Sequence, residues 1–274
     1  MDRTGSLIVE TSEIAETSGP SGSIVAFGLP QVRALEAGTA EVSTAEVGSA
    51  EGRSAEVGSA LPDEATMSTE AGALGIGGGR HVVVYDVLGI VSAPRLWWML
   101  RIFGHHEVSV LDGGLPKWLA ENRPVESGAV TPAPVTMHAQ LNTAAVRDVD
   151  QLMENIRTER EQVVDARSVA RFHGLEKEPR AGLRSGHIPG SLSLPFTDLL
   201  HPQSQTVLPE SELHQKFLNA GVDLDRPTIS TCGSGVTACT IILGLYLLGS
   251  TDAAVYDGSW SEWGAGGDTP IDYD

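Results

Sequence analysis

Cysteine, basic side chains and long apolar runs are all scarce in this sequence of 274 residues. Its two cysteines, Cys232 and Cys239, are too few for a disulfide framework, and their spacing is not that of a zinc site, so we expect no metal and a reducing compartment. The 18 Lys and Arg face 36 Asp and Glu, and the net charge of −18 argues against binding to nucleic acid or to an anionic membrane. The longest apolar run, 238–248, has about half of the ~20 residues that a transmembrane helix needs.

Residues 1–60 have few large apolar side chains and contain a pentad repeat, with AEVST at 40–44 and AEVGS at 45–49 and again at 55–59. Such a segment buries too little apolar surface to offset its ordering entropy, so we expect a disordered low-complexity segment. A frayed helix rich in Ala and Glu is the alternative. The segment shows no signal-peptide hydrophobic region and is too acidic for an ordinary mitochondrial presequence, which favours a cytoplasmic location, with a mitochondrial one still open.

From Leu61 onward, short apolar runs that end in turn residues alternate with helix-like segments. This alternation predicts an α/β fold with mainly parallel sheets flanked by helices. Residues 127–150 have little periodicity and are predicted to be a linker. The predicted strands are 81–86, 108–114, 161–168, 227–231 and 253–258, and the predicted helices are 92–104, 210–221 and the segment after Cys232.

A constant offset of 145 residues relates two parts of the chain. It places Ala93 on Ala238, Gly104 on Gly249, Asp112-Gly113 on Asp257-Gly258 and Trp118 on Trp263. Such agreement through a helix, a strand and a turn predicts two copies of one unit, 61–126 and 151–274. The first copy has one extra loop residue and carries Asp86 near the position that Cys232 has in the second.

The loop CGSGVT at 232–237 joins a predicted strand to a predicted helix. Successive backbone N–H groups and the helix N-terminus stabilise negative charge there, so the nucleophilic thiolate of Cys232 is favoured, as is a persulfide. Gly233 and Gly235 allow the tight curl, and Ser234 and Thr237 can donate hydrogen bonds. The alternative is a small buried cysteine at a strand end, which is the interpretation preferred for Cys239. A phosphatase loop would need arginine where Ala238 stands.

The loop CGSGVTA resembles that of 3-mercaptopyruvate sulfurtransferases, the tandem-rhodanese family. Supporting segments are 92–119, 163–196 and 255–263, and the resemblance covers about residues 61–264. It implies two rhodanese-like domains, the second of them catalytic. Related thiosulfate sulfurtransferases usually have basic residues after the cysteine, whereas this loop carries no charge.

The resemblance implies a role for each matching residue. Cys232 would be the nucleophile that takes sulfur from 3-mercaptopyruvate and releases pyruvate, and Ser234 would take part in a relay. Arg171 and Arg180 would bind the carboxylate and ketone of the substrate, as planar guanidinium groups can. The implied acceptors are thiols such as thioredoxin, or cyanide, and no cofactor is implied. The remaining substrate-binding positions would be Gly233, Gly235, Val236 and Thr237.

The first copy departs from the family, because no counterpart of the block that precedes Cys232 is found before Asp86. We therefore expect a partial first domain, non-catalytic and without roughly its first half, in which apolar residues such as Val82–Val84 are poorly covered. Two other functions stay open. One is a thiosulfate sulfurtransferase, and the other is an impaired scaffold or redox-sensing protein in which Cys232 is oxidised without turnover.

Overall fold

The computed structural model describes residues 8–9, 25–27, 61–125 and 132–273. The prediction of disorder for the other residues of 1–60 lies outside these ranges. The described chain divides into two compact units. The first contains 62–125 and 132–142 together with the two short N-terminal segments and 202–206, and the second contains residue 61, 143–201 and 207–273.

The first unit has a parallel four-stranded sheet with the strand order β1-β4-β3-β2. Helix α2 starts with proline at its second position, where the missing N–H is no loss. The strands are β1 (Ile8–Val9), β2 (Val25–Phe27), β3 (Val82–Val84) and β4 (Val108–Leu111), and the helices are α1 (Glu64–Ala73), α2 (Ala93–Ile102) and α3 (Gly114–Ala120).

Strand β3 is fully covered, so the expectation that Val82–Val84 is poorly covered is wrong. It pairs with β2 on one side and β4 on the other, and its three valines are at most 1% exposed. The two outer strands of the sheet, β1 beside β4 and β2 beside β3, come from two short apolar runs, 8–9 and 25–27, inside the segment that composition predicts to be disordered. Runs of two and three residues are too short to stand out as strands in a sequence of that composition.

The second unit has a parallel five-stranded sheet with the order β5-β9-β8-β6-β7. The strands are β5 (Val146–Arg147), β6 (Gln162–Asp165), β7 (Leu192–Ser193), β8 (Thr228–Thr231) and β9 (Ala253–Tyr256). The helices are α4 (Val149–Thr158), α5 (Val169–Phe172), α6 (Glu210–Asn219), α7 (Ala238–Leu247) and α8 (Ser259–Trp263), with 3-10 turns at Thr143–Ala145 and Phe196–Leu199.

Strand β5 and the start of helix α4 fall within the segment 127–150 that the sequence assigns to a linker. Asp148 and Gln151 form a capping box, in which each side chain bonds the backbone N–H of the other, at 2.8 and 2.9 Å. That arrangement satisfies two N–H groups that a helix start otherwise leaves unpaired. The second unit therefore begins earlier than the hydrophobic pattern suggests.

The two copies correspond element by element. Helix α2 begins at Ala93 and α7 at Ala238, an offset of 145 that also relates β4 to β9. Strand register requires an offset of 146 for the preceding strand, because Val82 pairs with Val108 whereas Thr228 pairs with Ala253. The extra residue of the first copy therefore lies in the loop between strand and helix, and Asp86 occupies the position that corresponds to Cys232.

Candidate active site

Cys232 directly follows β8, which lies between β9 and β6 in the sheet of the second unit. Because the strands are parallel, the residues that follow all three meet at one edge. These residues are Ala166 and Arg167 after β6, Cys232 after β8 and the Asp257–Ser259 turn after β9. Cys232 is 2% exposed, so the thiol lies at the base of its loop.

The turn after β9 holds the main chain of Cys232 on both sides. The N–H of Cys232 donates to Oγ of Ser259 at 3.1 Å, and its carbonyl accepts from the N–H of Trp260 at 2.9 Å. Ser259 has φ of 49°, in the left-handed region, and donates its own hydroxyl to the carbonyl of Tyr256 at 2.9 Å. The buried amide and carbonyl of the cysteine are therefore satisfied without using the thiol.

The loop then turns sharply into helix α7. Gly235 has φ of 77°, as the sequence leads one to expect of a glycine at a tight curl, and its carbonyl accepts from Sγ of Cys239 at 3.3 Å. Ser234, Val236 and Thr237 are half-buried, and α7 begins at Ala238. Cys239 is fully buried, as the sequence predicts, although it stands in the first turn of the helix rather than further along it.

Both predicted arginines lie beside the loop, although each is far from it in sequence. A Cβ placed on Gly233 would lie 3.1 Å from Nη2 of Arg171, which lies in the last turn of the short helix α5. Nη1 of Arg180 is 3.5 Å from the carbonyl of Gly233 and also donates to the hydroxyl of Ser261. The structure therefore brings two guanidinium groups to the loop that begins at Cys232.

A buried network of charges lies behind Arg171. The carboxylate of Glu178 bonds Nε and Nη2 of Arg171 and also Nη1 of Arg167, the last at 2.8 Å. Arg167 in turn forms a fork with Asp165 at 2.6–3.1 Å and lies 4.1 Å over the ring of Trp260. The side chains of Asp165, Arg167 and Glu178 are at most 2% exposed. Two carboxylates and two guanidinium groups balance their charges in this network.

In the first unit, the corresponding loop is occupied by a side chain of the protein itself. The carboxylate of Asp86 accepts from the backbone N–H groups of Leu88, Val91, Ser92 and Ala93 at 2.8–3.1 Å. The carbonyl of Asp86 accepts from Leu115, as that of Cys232 accepts from Trp260. The same loop therefore holds a fixed anion in one unit and a thiol in the other.

The sequence interpretation missed Asp165, Arg167, Glu178 and the serines at 259 and 261 as part of the site. A signal was present, because the DAR and DGSWS segments lie at the C-terminal ends of predicted parallel strands and must reach the same sheet edge as Cys232. His187, interpreted from sequence as structural, is buried. Its Nδ1 lies 2.9 Å from the carbonyl oxygen of Phe172, the residue that follows Arg171 in the chain.

Tyr256, the last residue of β9, donates its hydroxyl to Glu262 at 2.8 Å. Burial and this carboxylate raise the pKa of Tyr256 above its usual value, so the phenol stays protonated. Within the ranges that the structure describes, no cluster of three or more His, Cys, Asp or Glu side chains is placed to hold a metal ion. In the same ranges, each helix falls short of the length or hydropathy required to cross a bilayer.

Comparison with known proteins agrees with this architecture. The family model for the rhodanese-like domain matches residues 53–121 and 148–265, and the first match is the shorter. Human 3-mercaptopyruvate sulfurtransferase is 49% identical over 205 residues, which are 74% of this chain and 69% of the human protein. Mouse thiosulfate sulfurtransferase is 48% identical over 206 residues, with the same two coverages.

Among solved structures, SseA from Escherichia coli, described as a 3-mercaptopyruvate sulfotransferase, aligns with a TM-score of 0.72 and 31% identity. The alignment covers 94% of this chain and all of SseA. The fold that the sequence predicts, two α/β units with parallel sheets, is thereby confirmed. With two matched regions, a repeated strand–loop–helix unit and a cysteine in the second loop, this chain belongs to the rhodanese-like domain family.

Proposed function

We propose that the chain is a sulfurtransferase that moves sulfur from 3-mercaptopyruvate to thiol acceptors through a persulfide on Cys232. The observation that carries this proposal is the position of Arg171 and Arg180 beside Gly233, one residue from the buried thiol. A 2-keto acid presents a planar anion that guanidinium groups recognise. The 49% identity to the human protein of that name supports the choice of donor.

In the first half-reaction, the thiolate of Cys232 attacks the sulfur of the donor. A sulfur–sulfur bond forms, the carbon–sulfur bond of the donor breaks, and its electron pair passes to the carbon as pyruvate enolate, which takes up a proton. Negative charge grows on the ketone oxygen during this step. A fixed guanidinium beside the loop stabilises that charge without reorganising, which is the largest contribution to rate in many enzymes.

In the second half-reaction, an acceptor thiolate attacks the outer sulfur of the persulfide and releases the thiolate of Cys232. The backbone N–H groups of the loop hold the anionic sulfur between the two steps. We propose roles in this cradle for Gly233, Ser234, Gly235, Val236 and Thr237, with Ser234 donating to the reacting sulfur. Thioredoxin is the acceptor protein that we propose, and the cytoplasm, or else the mitochondrion, is the location.

Thiosulfate is the rival donor, because mouse thiosulfate sulfurtransferase is almost as similar as the human mercaptopyruvate enzyme. Thiosulfate is a dianion, and a cation in the loop itself would favour it over a monoanionic 2-keto acid. The segment 232–237 carries no charged side chain. We therefore place mercaptopyruvate ahead of thiosulfate.

The proposal is tested by measuring pyruvate and sulfide released from 3-mercaptopyruvate with dithiothreitol as acceptor, and by replacing the donor with thiosulfate in parallel. Wild type should release pyruvate and Cys232→Ser should release none. Cys239→Ser is the matched control, because a hydroxyl there still donates to the carbonyl of Gly235, and it should stay active. Preference for thiosulfate would establish the rival donor, and no turnover of either donor by the folded protein would establish the scaffold or redox-sensing alternative.

A further inference from the structure

The guanidinium of Arg171 lies against a buried carboxylate. Arg171 is held by Glu178 through both Nε and Nη2. This two-point contact fixes the plane of the guanidinium, which is the geometric advantage of arginine over lysine. The plane so fixed brings Nη2 to 3.1 Å from the position that a Cβ on Gly233 would take.

Glu178 is itself held firmly. Its side chain is 2% exposed, and the oxygen that contacts Nε of Arg171 also accepts from Nη1 of Arg167. Arg167 cannot move easily, because it also bonds Asp165 and the carbonyl of Gly186 at 2.8 Å and lies over Trp260. Contacts therefore run without a break from the end of strand β6 to the guanidinium beside the loop.

We propose that Glu178 is a positioning residue, which holds the guanidinium of Arg171 over the Cys232 loop so that it meets the carboxylate of the sulfur donor. The proposal rests on the proposed function for the identity of the donor. The geometric part of the proposal is that Arg171 faces an anion above Cys232 only while Glu178 holds it. This part can be tested without measuring turnover.

Removing the charge of Glu178 has two effects on the binding of anions at the loop, and these effects have opposite signs. The proposal can therefore be tested by the direction of the change. Through space, loss of a negative charge near the loop leaves the site more positive and should attract anions more strongly. If Glu178 instead positions Arg171, its replacement lets the guanidinium turn away, and the recognition of carboxylates should weaken. The net change in carboxylate preference shows which effect dominates.

The experiment measures the rates at which iodoacetate and iodoacetamide alkylate Cys232, in a Cys239→Ser background. Both reagents form a carbon–sulfur bond and release iodide, but only iodoacetate carries a carboxylate. In Glu178→Gln, the ratio of the iodoacetate rate to the iodoacetamide rate should fall by about fivefold or more, the size expected when a positioning contact is lost. Glu178→Asp, which keeps the charge with a shorter reach, should give an intermediate ratio.

Glu161→Gln is the matched control. Glu161 also pairs with an arginine, Arg147, through two contacts at 2.7 and 2.9 Å. It lies just before β6, at the opposite end of the sheet from Cys232. The ratio of the two alkylation rates in Glu161→Gln should match that of the parent protein. A general loosening of the fold would instead change this ratio in Glu161→Gln and in Glu178→Gln alike.

A second arm measures pyruvate formation from 3-mercaptopyruvate. Glu178→Gln should raise KM by about tenfold with a smaller change in kcat, since binding of the donor carboxylate is lost before chemistry begins. An alkylation ratio that stays the same or rises in Glu178→Gln overturns the proposal. The alkylation arm stands even if the wild type forms no pyruvate, so failure of the proposed function is distinguishable from failure of this inference.

Discussion

Gly233 is the residue at which the loop and the arginines meet. Its backbone does not require glycine, because its φ lies outside the left-handed region, but its missing side chain leaves room for Arg171. Glycine is thus needed at 233 for space and at 235 for backbone conformation. The two glycines look alike in the sequence, but one is required by the space that Arg171 occupies and the other by its left-handed backbone conformation.

Replacing Gly233 with alanine should therefore weaken the donor site with little effect on folding. The new Cβ would lie 3.1 Å from Nη2 of Arg171, closer than van der Waals contact, and the guanidinium would have to shift by a few tenths of an ångström. We expect KM for 3-mercaptopyruvate to rise by about three- to tenfold in steady-state assays, with an unchanged melting temperature.

Gly267→Ala is the control for that variant, because its new Cβ would meet no atom within 4 Å. It should leave both KM and the melting temperature at the wild-type values. An unchanged KM in Gly233→Ala would mean that Arg171 does not bind the donor from the position described.

At the scale of elements, strands β3, β4, β6, β8 and β9, helices α2, α6 and α7, and the repeat follow from the hydrophobic pattern, whereas the pattern does not predict helices α1 and α4. Val82–Val84 and the segment from Ala93 to Ile102 read directly as a buried strand and a helix, with Pro94 marking the start. Strands β1 and β2 could not be predicted, because two or three apolar residues within a segment of low-complexity composition give no local strand signal, and the pairing partners of these strands are far away in sequence.

The candidate site also has a part that the sequence predicts and a part that it does not. Cys232 and its glycines are local in sequence and could be recognised from composition and spacing. The carboxylate network depends on which residues of the irregular segment 166–190 face the Cys232 loop. The hydrophobic periodicity of the sequence does not predict which residues these are. Asp165 and Arg167 could be placed at the correct sheet edge, but their pairing with Glu178 is a tertiary contact.

The repeat also predicts an asymmetric outcome when residues are exchanged between copies. Gly114 and Ser259 occupy equivalent positions, both with left-handed φ. A Cβ on Gly114 would lie 2.5 Å from the carbonyl oxygen of Gly89 and 2.6 Å from that of Asp86. Gly114→Ser should therefore lower the free energy of unfolding by about 2–5 kcal/mol, through strain and overpacking.

The reciprocal change, Ser259→Gly, should cost only about 1 kcal/mol. It removes the acceptor for the buried N–H of Cys232, but glycine relieves the left-handed backbone. Urea denaturation would measure the free energy of unfolding of both variants. Gly104→Ala is the control, because residue 104 also has a positive φ but its new Cβ would meet no atom within 4 Å. Equal losses in the two exchanged variants would contradict the packing described around Gly114.

For the molecule as a whole, the two units should respond differently to acid. In the first unit, burial lowers the pKa of His105 and also that of His81, in both cases against the opposing effect of Glu107. A histidine with a lowered pKa in the folded state stabilises the fold fully above its unfolded pKa of about 6.5, and this contribution is lost as the pH falls below that value.

Hydrogen exchange corrected for the intrinsic rate, at pH 7.5 and pH 5.5, would report on each unit. Protection of strands β3 and β4 should fall at the lower pH, relative to that of β8 and β9. His105→Gln should reduce the difference, because glutamine does not titrate. Equal loss of protection in both units, or a loss confined to the second, would show that these histidines do not determine the acid response.

The tethered carboxylate of Asp86 has a consequence for how many anions one chain can take up. A side chain fixed among four backbone N–H groups competes with dissolved anions at an effective concentration far above the millimolar level, as well-oriented intramolecular groups do. Free sulfate, phosphate or keto acid at cellular levels cannot displace it. Although the chain contains two loops of the same design, anion titration of its loops should saturate at one equivalent per molecule.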